Sequence, residues 1–114
     1  MMPGKELSAL VNALMQTPEY TEMMRVRKKI TENMQLARSM NAFEREHARI
    51  QSMNIPETER AERLKRLFAE YNAMLEREEV KGFTAAVRQY QKMLSESFAY
   101  IDRQLDPNYP PRPR

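Results

Sequence analysis

The chain has 114 residues, 41% of them hydrophobic, which is one domain's worth of a soluble protein with a modest core. It has no cysteine, so disulfides, thiolate zinc sites, iron–sulfur ligation and cysteine nucleophiles are all excluded. Two glycines, Gly4 and Gly82, are too few for a Walker loop or a dinucleotide-binding turn, and a net charge of +3 is too small an excess to establish a nucleic-acid partner.

Helix formers dominate and no stretch alternates β-branched and polar residues, so the expected fold is all-α, with four helices. The first covers about Lys5 to Gln16, where Leu7, Leu10, Val11, Leu14 and Met15 share one face. It is too short to persist unless docked. Thr17-Pro18-Glu19 restarts the chain as a helix: threonine can accept from the first free amides, proline loses nothing at the first helical position, and glutamate suits the positive end of the dipole.

From Pro18 to about Met53 there is no Gly or Pro, and apolar residues recur throughout, so the spacing predicts a single long second helix. At about 1.5 Å per residue it would reach about 54 Å, against a diameter of about 35 Å for a domain of this size. That overhang, apolar to its end, predicts a bundle completed by dimerisation, with Met34, Met40, Phe43, His47, Ile50 and Met53 as the candidate interface. Ten methionines suit an adaptable contact surface, although ordinary core filling is the favoured account of any single one of them.

Pro56 forces Ile55 away from helical geometry and opens a third helix, striped by Leu64, Leu67, Phe68, Tyr71, Met74 and Leu75. The stripe then changes phase, which places a break within 76–79. The fourth helix carries Val80, Val87, Leu94 and Ile101 seven apart, the seam of a helix lying along another. Residues 1–105 are thus expected as a single helical domain, and the proline-rich 106–114 as a disordered tail.

Chemistry-bearing patterns are few. Glu44-Arg45-Glu46-His47 has the Glu-x-x-His spacing of carboxylate-bridged metal bundles, but the further inward glutamates such sites need are missing from the stripe of the third helix, so no metal or other cofactor is expected. Arg25, Arg27, Lys28 and Lys29 form a basic stretch that offers phosphate contacts, and an RNA-binding adaptor is the alternative reading. Glu22, Glu32, Glu44 and Glu46 interleave it, which favours a solvated, ion-paired face. With one histidine, no cysteine and no aspartate placed to orient that histidine, no enzyme is expected. No apolar run approaches the ~18 residues of a membrane span and the start lacks a signal-like apolar block, so the expected location is the cytoplasm.

The ordering of a short helix ending Ala13-Leu14-Met15-Gln16-Thr17-Pro18-Glu19-Tyr20, a polar-rich second helix, a Pro56-Glu57 turn and a last helix opening Val80-Lys81-Gly82-Phe83 resembles the YlbF/YmcA-like family of small helical bacterial proteins, over about residues 5–105. The resemblance implies a non-enzymatic cytoplasmic regulator that self-associates and joins related helical proteins or an RNA-processing enzyme, in the control of competence, sporulation or biofilm formation. Some assemblies of that family carry iron–sulfur clusters on cysteines; this chain has none, so that property does not transfer.

Overall fold

The structure is a computed structural model, and it describes residues 3–108. Among them there are helices and no strand: α1 (Gly4–Met15), α2 (Pro18–Thr31), α3 (Met34–Gln51), α4 (Glu57–Glu70), the single turn α5 (Asn72–Leu75) and α6 (Glu78–Leu105). The all-α expectation holds; the four-helix count does not. Two compact units share these helices. One takes residues 25–84, and the other is formed by the described residues before and after that span.

The α1/α2 boundary follows the capping grammar of the sequence. The Thr17 hydroxyl donates to the Leu14 carbonyl at 2.6 Å and accepts from the Tyr20 amide at 3.3 Å, so one side chain serves the end of one helix and the start of the next.

The expected helix over 18–53 is two helices, interrupted at Glu32-Asn33. Asn33 is extended (φ −104°, ψ 100°), its side-chain oxygen accepts from the Leu36 amide at 3.1 Å, and its own amide donates to the Ile30 carbonyl at 3.0 Å. The reason for the break is burial. On an unbroken helix Ile30 and Leu36 would point about 120° apart at ~100° per residue, whereas the turn brings both into one buried cluster with Met74 and Val80. The pieces, 14 and 18 residues long, reach about 21 and 27 Å. Neither outruns a domain, so the overhang that motivated dimerisation is gone.

The third expected helix is also interrupted. The α4 helix stops before Tyr71, whose backbone (φ −99°, ψ 15°) leaves the helical range before α5 adds one turn. The next break falls at Glu76-Arg77, within the 76–79 window where the stripe changes phase. Around the four-residue core of this unit pack Met40, Phe43, Tyr71, Leu75 and Phe83, and Val80 at its centre is 1% exposed. Burial of each core side chain contributes about 1.5–3 kcal/mol.

In the other unit Tyr20 of α2 meets Tyr90 of α6 with ring centres 5.8 Å apart. The α6 helix ends at Leu105 and Asp106 closes a turn by accepting from the Asn108 amide at 3.0 Å. Residues 109–114 of the expected tail lie outside the described residues.

Candidate functional site

The six residues expected at an interface separate into three environments. Ile50 is 3% exposed and belongs to the interior, so an aspartate there would attack the fold before any association. Met40 and Phe43 pack against the core of their own unit. His47 and Met53 are half-buried, and Met34, in the first turn of α3, is 66% exposed. The long apolar stripe is therefore largely covered by its own chain, because α4 and α5 fold back onto α3.

His47 sits in an aromatic cluster. Its ring lies 5.9 Å from Phe43 and 6.1 Å, edge to face, from Phe68, while Phe43 meets Phe68 at 5.4 Å and Tyr71 at 5.5 Å. Phe68 is 45% exposed, so the cluster opens to solvent on one side. Among the described residues no group of three or more His, Cys, Asp or Glu side chains gathers in a way that could hold a metal.

The basic stretch lies where α2 runs into the Glu32-Asn33 turn. Arg25, Arg27, Lys28 and Lys29 are all exposed, Lys28 pairs with Glu32 at 3.8 Å, and Lys29 is near enough to Glu79 to act on its charge. Elsewhere on this unit Arg49 binds Glu46 through two guanidinium nitrogens, and this bond holds the Glu46 carboxyl below its ordinary range.

A further apolar surface, only partly covered, lies elsewhere. The α1 helix buries none of its residues. Leu7, Val11 and Met15, four apart and so on one face, are all exposed, Val11 by 53%. In the same unit Phe98 and Leu105, seven apart on α6, are exposed as well. The sequence displays the α1 stripe plainly; it does not reveal that Leu10 and Leu14 are half-buried while the rest of the stripe stays exposed, because periodicity reports that a face is apolar and says nothing of what lies against it.

Residues 5–106 match the family model described as control of competence regulator ComK, YlbF/YmcA. The chain belongs to the YlbF/YmcA family. The family description names a regulatory role. No curated protein and no solved structure matches the chain. Within this YlbF/YmcA chain no described helix is long and apolar enough to cross a membrane.

Proposed function

We propose that the protein is a non-enzymatic regulator that works by protein–protein association, and that it associates first with a second copy of itself through the exposed rows of α1 and α6. The observation carrying this reading is α1 itself. A helix of 12 residues is marginal in water unless one face is packed, yet of its apolar face only Leu10 and Leu14 are half-buried, while Leu7, Val11 and Met15 stand in solvent in the single chain. Phe98 and Leu105 add two further large apolar groups within the same unit. Closed two-fold pairing is the commonest arrangement by which soluble chains cover such surfaces. Related helical proteins or an RNA-processing enzyme are the partners we propose for the assembled form.

The test is solution mass by light scattering. The wild-type chain should run well above its 13.5 kDa protomer mass. Val11→Asp and Phe98→Asp, both at exposed sites, should lower the mass toward the protomer while far-UV circular dichroism stays unchanged. A wild-type protein that remains a 13.5 kDa particle at every concentration would overturn self-association.

A further inference from the structure

Within residues 25–84, α3 and α4 leave an open trough between them, a hollow of about 510 Å³ continuous with a smaller one of about 170 Å³. Beneath it Ile50 and Leu67 are 3% and 4% exposed, so half-buried Tyr71 and the stems of the arginines supply the apolar surface it offers. Arg45 and Arg49 rise from α3 and Arg63 and Arg66 from α4, against two carboxylates, Glu46 and Glu70. Four cations against two anions leave the trough positive by two.

These charges are unequally engaged. Arg49 is tied to Glu46, and Arg63 to Glu59 one turn back on its own helix at 3.0 Å. Arg45 donates only through Nε, to the Asn41 carbonyl at 3.5 Å, so its two terminal nitrogens have no partner among the described residues. Arg66 has neither hydrogen bond nor ion pair among them. One uncommitted guanidinium thus stands on each wall, in the planar fork geometry that matches a carboxylate.

We propose that this trough docks an acidic amphipathic helix of a partner protein. The cleft between two helices suits a third helix, whose apolar residues would lie against Tyr71 and the methylene stems of the arginines, and whose carboxylates would reach Arg45 on one side and Arg66 on the other. Glu46 and Glu70 decide between a peptide and a nucleic acid. A phosphate backbone carries charge at every step and would meet both carboxylates, whereas a peptide can place a neutral or basic residue opposite each. The inference rests on reading the chain as a docking protein, but it concerns a different face from the α1 and α6 rows.

Fluorescence anisotropy tests it, with a labelled helical peptide of about 20 residues carrying leucine at i, i+3, i+4 and i+7 and glutamate beside it, the same peptide with lysine for glutamate, and a single-stranded RNA oligonucleotide. The glutamate peptide should bind, and Arg45→Glu with Arg66→Glu should weaken it by about tenfold or more, since two ion pairs are lost and turned into repulsions. Arg45→Gln with Arg66→Gln should weaken it less, in the same direction, and serves if the charge reversals unfold. Val11→Asp should lower the solution mass and leave peptide affinity unchanged, so a failure of the trough is told apart from a failure of self-association. Absent binding of the glutamate peptide at low salt, equal or tighter binding of the lysine peptide or RNA, or unchanged affinity in both folded double variants would each overturn the proposal.

Discussion

Arg60 does more for the fold than its place in the sequence suggests. From the first turn of α4 its guanidinium reaches back to the end of α3 and the loop beyond it, donating to the carbonyls of Ile50 at 2.6 Å, Gln51 at 2.9 Å and Met53 at 2.9 Å, while Nε meets Glu57 at 3.2 Å. A helix C-terminus leaves carbonyls without intrahelical partners, and one side chain, only 15% exposed, supplies several of the missing donors. Arg60→Ala should therefore lower stability by about 2–4 kcal/mol, taking about 1.5 kcal/mol or more per charged bond and allowing some rehydration of the freed carbonyls. Arg60→Lys should recover only part of that loss, since an ammonium cannot fork between carbonyls. Urea unfolding reads both, and a loss under about 0.5 kcal/mol for the alanine variant would mean that water serves these carbonyls equally well. The sequence held a faint sign of this role: a cation in the first turn of a helix opposes the dipole, so it needs another reason to be there.

At the scale of elements, boundaries made by proline and capping residues were legible and boundaries made by packing were not. Thr17-Pro18 and Pro56 announce themselves through local chemistry. The interruptions at Tyr71-Asn72 and at Glu32-Asn33 each offer only an asparagine, which many helices carry without breaking. What breaks the chain at Glu32-Asn33 is the requirement that Ile30 and Leu36 share one core, a tertiary demand that local propensity does not encode. Asn33→Ala separates the two influences. If burial sets the turn and Asn33 only caps it, the variant should lose about 1 kcal/mol, the usual worth of an N-cap, with its helical circular dichroism unchanged. A gain in both helicity and stability would show instead that the continuous helix is the preferred form once the cap is removed.

For the whole molecule, the apolar faces were legible as faces, and their partners were not. Phe43 and Ile50 belong to a stripe that α4 and α5 cover, whereas Val11 belongs to one that its own chain covers only in part, at Leu10 and Leu14. Which stripe is inside follows from where the chain turns, and the turn at Glu32-Asn33 is what brings Leu36 of α3 into one core with Ile30. The charged surface is simpler, because its pairs form between close neighbours in sequence, and it sets the pH response. The Glu46 carboxyl is held below its ordinary value of 4.5 by the bond from Arg49, and that of Glu79 by its own backbone amide and then by Arg77. Both contribute stability that is present above that ordinary value and is lost as pH falls through the lowered one. Lys81 is raised above its ordinary 10.5 by Glu76, 2.8 Å away, and its contribution is complete below that value and lost as pH climbs past it. The urea midpoint should accordingly stay level between about pH 5 and pH 9 and decline on both sides, with the decline shallower in high salt because these groups stand in solvent. Glu79→Gln should flatten part of the acid limb and leave the alkaline limb alone. A midpoint that rises as the carboxylates protonate would mean that repulsion among the glutamates outweighs their pairing with arginine and lysine.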